Sequence, residues 1–401
     1  MIVRSAAVLV AMLLVSTVGS ATSYADLIPV KQRGSGPFYR IKRAGSWGYV
    51  DRQGHVVIPP RFADAGDFFS GLAAVRVGDL WGYLSASGKM AIPAKYDSAG
   101  DFNQNRAIVT MDGKAGVIDS DGKFLVSPIF DEIKPFAGGM AAVWVNAKRK
   151  RQGNVVWLYG GSWGFINSAG EIVIKPQFER VESFSEGLAA FCVGGKRDAA
   201  GEVTTTDGAK WGFINDSGGI AIPPKFDNVQ PFSDGLAAFW SEREKHFGLV
   251  NRAGQIVRTP EFSSVGAFVR GLALARHDAG STFIRPSGEV AFELEGRSEY
   301  GFSEGLALIC NSGKCGFADE TGTLTISYEL DDAESFSEGL AAVEREGLWG
   351  YIDKSGRLAI PLRFDRAFDF VDGLALVVLK DQWCYIDADG KVVARDVWHR
   401  D

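Results

Sequence analysis

The sequence has little of what most catalytic and metal-binding chemistry uses. It holds four histidines and four cysteines in 401 residues. His55, His246, His277 and His399 show no ligand-like neighbour spacing, so no metal site is expected from them. There is no Cys-x-x-Cys pair, no Gly-x-Ser-x-Gly elbow and no glycine-rich phosphate loop. Those absences exclude the commonest thiol, acyl-transfer and nucleotide chemistries, and no cofactor is expected. No segment carries the apolar spacing of a long helix. After residue 25 no apolar run is long enough to span a bilayer. Excess positive charge is also missing: 43 Lys and Arg against 49 Asp and Glu give a net charge of −6, which argues against a nucleic-acid partner. Disorder is excluded as well, since 46% of residues are apolar and 23% charged.

The first 25 residues stand apart. Arg4 precedes the apolar run 5–15, and small polar residues lead to Ser23-Tyr24-Ala25 before Asp26. This is the pattern of a signal peptide cleaved after Ala25. No cysteine follows the cut, so no lipid anchor is expected. The pattern predicts an exported protein, periplasmic or secreted, with residues 26–37 as a linker.

What the chain has in quantity is glycine, 49 residues, and it recurs on a period. A Trp-Gly pair sets the frame: Trp47-Gly48, Trp81-Gly82, Trp163-Gly164, Trp211-Gly212 and Trp349-Gly350. The glycine column continues through Gly116, Gly248 and Gly316, with Thr282 and Cys384 as exceptions and Trp383 before the latter. Its spacings are 34, 34, 48, 48, 36, 34, 34, 34 and 34. A fixed period of this size means stacked or radially arranged units.

Each unit then runs through a turn, as in Asp353-Lys354-Ser355-Gly356, whose glycine is present in all ten copies. Ten of ten implies a backbone need, a type I turn closed by a left-handed glycine. A short apolar strand follows, often ended by proline: Pro59, Pro93, Pro128, Pro176, Pro223, Pro260 and Pro361. A second turn reads Phe-Ser-Glu-Gly-Leu-Ala, as at 336–341. Its glycine column is broken once, by Asn105, the non-glycine residue that best tolerates a left-handed backbone. Each unit is therefore read as three strands, and about ten units of about 34 residues fill residues 38–394, with 395–401 as a tail.

These columns resemble the WG-repeat family, also described as KWG-type repeats. The resemblance implies an all-β repeat protein and no shared catalytic residues. Three strands in 34 residues, ten times over, predict an open, curved or superhelical array of β-meanders. The alternative is a closed propeller-like ring, for which strands at 38–43 and 391–394 could complete a shared blade.

Three features bear on function. An acidic residue precedes the second turn's glycine at Glu186, Asp234, Glu304, Glu338 and Asp372. It reads as a solvated turn residue that protects an edge, with a cation-binding stripe as the other reading. Cys310 and Cys315 flank the turn 311–314, where a hairpin would place them close enough to bridge; the other reading is two small buried residues. The two 48-residue units carry 14 extra residues each, inserted at the same place, near 145–161 and 194–209. The first contains Lys148, Arg149, Lys150 and Arg151, then Trp157 and Tyr159; the second contains Lys196 and Arg197. A basic cluster beside aromatics on an acidic chain suits an anionic envelope polymer or an acidic protein patch. The expectation is a monomeric, non-enzymatic binding or scaffolding module of the cell envelope. The alternative is an envelope carbohydrate hydrolase that brings carboxylates together from different repeats.

Overall fold

The computed structural model describes residues 38–152, 155–197, 203–205, 208–277, 280–294, 296, 298 and 301–395. The expected signal peptide, the whole linker 26–37 and nearly all of the tail fall outside them. Among the described residues every regular element is a β-strand. Ten antiparallel sheets of three or four strands follow one another, and two further two-stranded ribbons project from the fourth and fifth. Each sheet is a blade, and the blades close into a propeller-like ring.

The ninth blade shows the unit. Its strands are Asp332–Ala333, Leu340–Arg345, Leu348–Asp353 and Leu358–Phe364, hydrogen-bonded in that order. Between the first two strands, Ser337 and Leu340 exchange both backbone hydrogen bonds, at 2.8 and 3.1 Å. Glu338 and Gly339 both have positive φ, which makes this a two-residue type I′ hairpin. Between the last two strands, Asp353 Oδ1 accepts from the amides of Ser355 and Arg357. Gly356, at φ +80°, closes that turn as the repeat pattern predicts. Three strands per unit were expected, and eight of the ten blades have four. The additional first strand is two residues long in most blades, too short to show an alternating apolar pattern.

The Trp-Gly glycine is required by a close approach of backbone. At Gly350 a Cβ would lie 2.6 Å from the Ile360 carbonyl oxygen and 2.9 Å from the Leu362 nitrogen. The fourth strand bulges there: Trp349 pairs with Phe364, yet Tyr351 pairs with Ile360. Pro361 sits inside that bulge, where the ladder is broken and no N–H is needed. The two exceptions to the glycine column follow from this. In the seventh blade Thr282 pairs with Glu293, and in the tenth Cys384 pairs with Arg395, each in plain register. Neither fourth strand contains proline, Val290–Leu294 or Val392–Arg395. Without the bulge, a side chain fits.

The core lies between blades. Trp47, Tyr49, Ile58 and Phe62 of the first blade pack with Ala65, Phe68, Ala73 and Val75 of the second. Tyr49 meets Phe68 edge-to-face with ring centroids 4.9 Å apart, and its hydroxyl donates to the Gly66 carbonyl. The same pairing recurs at Tyr83–Phe102, Phe165–Phe184, Phe213–Phe232, Phe317–Phe336 and Tyr351–Phe370.

The ends meet by the same means. Ile41 and Val50 pack on Leu376 and Ala394, with Tyr39 and Tyr385 ring to ring at 5.4 Å. The Tyr39 hydroxyl donates to the Asp372 carbonyl at 2.6 Å, joining residues 333 positions apart. The array is therefore the ring, not the open form. The terminal strands do not share a blade: Tyr39–Arg43 pairs within the first and Val392–Arg395 within the last. An open array would leave the apolar faces of both end blades in water, and closure buries them against each other.

Gly54 tests the seam. Gly54 and Gly339 both have φ near +80°, so alanine at either carries the left-handed penalty of about 1–2 kcal/mol. Nothing lies within 4 Å of a Cβ on Gly339, whereas one on Gly54 would overlap the Val393 carbonyl of the tenth blade. Gly54→Ala is expected to lower the denaturation midpoint further than Gly339→Ala and to raise the radius of gyration in solution scattering. Equal effects would mean that the seam is not packed this way.

Candidate functional site

In a four-stranded meander, the first and third turns lie at one end of the blade and the middle hairpin at the other. The ring thus has a turn face and a hairpin face.

On the turn face, four of the five residues of the acidic column do more than meet solvent: their carboxylates reach the next blade and accept from its turn amides. Glu186 holds Gly235 N at 3.0 Å, Asp234 holds Gly271 N at 3.1 Å, and Glu338 holds Gly373 N at 2.8 Å. Glu304 takes two amides, Glu338 N at 2.8 Å and Gly339 N at 3.0 Å. The serine beside it does the same: Ser185, Ser233, Ser303 and Ser337 donate to Phe232, Phe268, Phe336 and Phe370 carbonyls. These residues staple blade to blade. They also explain why Glu and Asp occupy positive-φ positions that usually take Asn or Gly.

On the hairpin face a second staple went unread in the sequence. An aspartate that follows the fourth strand's last apolar residue accepts from the next blade's middle hairpin. Asp97, Asp131, Asp227, Asp331 and Asp365 hold the amides of Gly113, Ala147, Glu242, Glu346 and Asp381. The recurring Phe-Asp and Tyr-Asp pairs were the available signal.

The insertions replace this middle hairpin in the fourth and fifth blades. In the fourth, Lys148–Gln152 pairs with Val155–Tyr159. Val145 faces Ser162 in the blade, and Lys148 faces Tyr159 in the ribbon, with two residues on each side between them. The two arms of the neck are equal in length, so the ribbon rises from the blade's own middle hairpin, although the ladder is interrupted between the two sheets. Its neck is tight. Asn146, Gly160 and Gly161 all have positive φ, and a Cβ on Gly161 would strike Val145 O at 2.5 Å. The Ala147 amide is held by Asp131, whose side chain is 1% exposed and bonded to Lys114 Nζ at 2.5 Å. Beside the neck, Trp144 stacks on Trp163 at 5.5 Å and donates from Nε1 to the Gly160 carbonyl.

Of the predicted site residues, Lys148 is exposed and Tyr159 half-buried. Lys150 pairs with Trp157, Arg149 with Leu158 and Arg151 with Val156. In the fifth blade Lys196 pairs with Thr205 and Arg197 with Val203, through a shifted register. The side chains of Arg149, Lys150, Arg151, Trp157, Lys196 and Arg197 lie outside the described set. Lys134 ties the two blades below the insertions: its Nζ lies 2.9 Å from Glu182 and 5.3 Å from the Trp163 ring.

The WG containing repeat profile matches eight stretches: 47–81, 81–114, 116–148, 163–196, 211–239, 247–279, 316–349 and 349–383. The chain belongs to the WG-repeat family. Most of both insertions fall between matches, as does the seventh blade's Ser281-Thr282. No curated protein matches the sequence significantly. Among solved structures, a eukaryotic initiation factor is 12% identical with a TM-score of 0.47, over 81% of this chain and 95% of that one. Citrobacter koseri AztD is 11% identical with a TM-score of 0.34, over 80% and 92%. Kluyveromyces lactis Hsv2 is 10% identical with a TM-score of 0.30, over 79% and 94%. Likenesses this distant carry no argument about function.

Two further groups complete this WG-repeat ring. The first strands crowd together: Asp372 of the tenth blade and Asp67 of the second lie close enough to interact. Arg40 pairs with Asp67 at 2.7 Å. Asp101 is pushed up to about 6, first by burial and then by Asp67, against the pull of Arg40. Its surface is nevertheless open to water. Elsewhere, Cys310 and Cys315 form a disulfide across the eighth blade's hairpin, with Cα atoms 4.0 Å apart. Cys192 and Cys384 are buried and not disulfide-bonded, and burial pushes the Cys192 thiol up to about 11. No helix among the described residues is long and apolar enough to cross a membrane.

The staples make stability depend on acid. Burial opposes ionisation of Glu304, but Lys354 at 3.2 Å and the Gly339 and Glu338 amides outweigh it and hold the carboxyl below its usual range. A depressed carboxylate contributes stability above its unfolded value, near 4.3, that is lost as pH falls through the folded one. Glu304→Gln is expected to cost about 1 kcal/mol at neutral pH and less in acid. Denaturation midpoints at pH 7 and pH 3 measure this; a pH-independent loss would rule the staple out. Closing so short a loop stabilises by roughly 2 kcal/mol, so reduction, or the Cys310→Ser/Cys315→Ser double variant, should lower the melting temperature without abolishing the fold.

Proposed function

We propose that this protein is exported and serves as a non-enzymatic binding or scaffolding module of the cell envelope, engaging its partner through the two inserted hairpins. The observation that carries this reading is the first insertion's build. It rises from the fourth blade's own middle hairpin and is pinned at its neck by buried Asp131. A ribbon mounted that way is preorganised, so little conformational entropy is lost when it binds. Its four consecutive cations oppose the net negative charge of the chain, which suits an anionic polymer or an acidic protein surface. The second insertion leaves the adjacent blade at the same end. Export rests on the N-terminal pattern, basic residue, apolar run and small-residue site before Asp26.

Retention of the purified mature protein on isolated envelope and cell-wall fractions tests the reading, beside a variant with both insertions cut to the 34-residue length. Both must show the same β circular dichroism. The parent is expected to be retained and the trimmed form to lose at least about tenfold in affinity, or 1.4 kcal/mol. Equal retention would move recognition to the ring itself.

One observation favours hydrolysis as a second reading: Asp101 is shifted upward by burial and by Asp67, a carboxyl from the neighbouring blade. Release of reducing ends from envelope polysaccharide, abolished by Asp101→Asn, would support it over binding alone.

A further inference from the structure

One core position repeats around the ring with a single exception. The residue after the Trp-Gly glycine column packs toward the next blade, and in the first nine blades, from Tyr49 to Tyr351, it is at most 1% exposed. The tenth copy, Tyr385, is only half-buried. In most blades its partner is the phenylalanine before the next blade's Phe-Ser-Glu-Gly turn. Counting 34 back from Phe68, the first blade has Gly34 at that position, and Tyr385 meets Tyr39 instead. The apolar cluster there is small as well. Its buried members are Ile41 and Val50 against Leu376 and Ala394, whereas five large aromatics, Trp211, Phe213, Phe226, Phe232 and Phe239, fill the fifth–sixth boundary. Neither terminal strand crosses to the other's blade.

What the seam has in place of apolar bulk is a cation. Arg52 follows the first residue of its turn, as Arg252 and Lys354 do in the sixth and ninth blades. Those two reach back to the preceding blade. Arg252 donates to the Glu186 carbonyl at 2.7 Å, and Lys354 donates to the Glu304 carbonyl at 3.0 Å and lies 3.2 Å from its carboxylate. Asp372 is the tenth blade's counterpart of Glu186 and Glu304, and Arg52 lies against its turn: a Cβ on Gly373 would overlap the Arg52 guanidinium. Arg52 attracts Asp372, while Glu338 and Asp67 repel it. Removing Arg52 leaves Asp372 with two carboxylates near it and that attraction gone. The remaining polar link is the Tyr39 hydroxyl on the Asp372 carbonyl.

We infer that the native ring opens reversibly at this seam before it opens at any other boundary, and that Arg52 is the latch that holds it shut. The device goes beyond the binding reading and does not depend on what the inserted hairpins engage.

A blade that loses its neighbour is marginal and frays, so amide exchange reports opening. In the full mature protein, hydrogen exchange read by mass spectrometry is expected to be fastest, among the long strands, in Tyr39–Val50 and Leu374–Asp387, and slower in the matching strands of the fifth and ninth blades. Arg52→Gln should speed exchange on both sides of the seam by about fivefold, the upper range for a partly exposed ion pair. High salt should narrow its difference from the parent. Arg52→Lys should restore protection, since lysine does the same work at position 354. Arg252→Gln is the control, and should loosen the fifth–sixth boundary while leaving the seam unchanged. Fastest exchange at another boundary of the parent protein overturns the seam as the opening point. Exchange in Arg52→Gln that equals the parent's, or that rises evenly over all blades, overturns the latch.

Discussion

The structure depends on aromatic side chains that no blade can bury alone. Tyr49, Tyr83, Phe165, Phe213, Phe317 and Tyr351 stand on the Trp-Gly strands and reach the phenylalanine that leads into the next blade's Phe-Ser-Glu-Gly turn. A three- or four-stranded meander by itself leaves such rings in water and is marginal. Folding is therefore a nearest-neighbour affair, each blade completing the core of the one before. The end blades face the same need, and closure meets it. Tyr39 takes up the role at the seam, setting its ring on Tyr385 and its hydroxyl on Asp372.

Close packing of blades dictates the two glycine columns for different reasons. The Trp-Gly glycine makes room for the bulged fourth strand of its own blade. The Asp-x-x-Gly glycine has positive φ and also lies against the preceding blade, as Gly88 does against Ile58 and Gly356 against Ile326. Polar groups follow the same geometry. The turn carboxylates and serines face turns of the next blade at hydrogen-bond distance, and the Phe-Asp aspartates do so at the other end. Neighbouring blades are thus held by apolar contact in the middle, and at the fifth–sixth, eighth–ninth and ninth–tenth interfaces by these hydrogen bonds at both ends as well.

Much of this was legible in sequence, because the period repeats each constraint. Asn105 announced a left-handed turn, and its φ of +60° agrees. The insertions were found because 48 differs from 34. What periodicity cannot convey is which repeat unit a side chain addresses. Glu338 looks like a solvated turn residue until the next blade brings Gly373 N to it. The two-residue first strands carry no alternation to read. Closure could be offered only as the alternative for a similar reason: it depends on accumulated rotation per blade, and on Tyr39, a residue outside every column. The Thr282 and Cys384 exceptions could have been tied to missing prolines in sequence, but only the bulge gives that link a cause.

The same accounting narrows where recognition can occur. The turn face spends its carboxylates and serines on neighbouring blades, so a ligand there would compete with the bonds that hold the ring. The fourth strands expose scattered apolar residues such as Ile172, Ile220 and Ile256. Of Arg40, Asp67 and Asp101, which act on one another, the first two are already paired. The hairpin face differs, because in the fourth and fifth blades it carries added strands beyond the hairpin of the other blades. Lys148 to Arg151 and Trp157 to Tyr159 lie beyond the neck, past the last aspartate staple at Ala147. Lengthening a hairpin there leaves the inter-blade core and both sets of staples intact, which is why chemistry can be added at that position without loosening the ring.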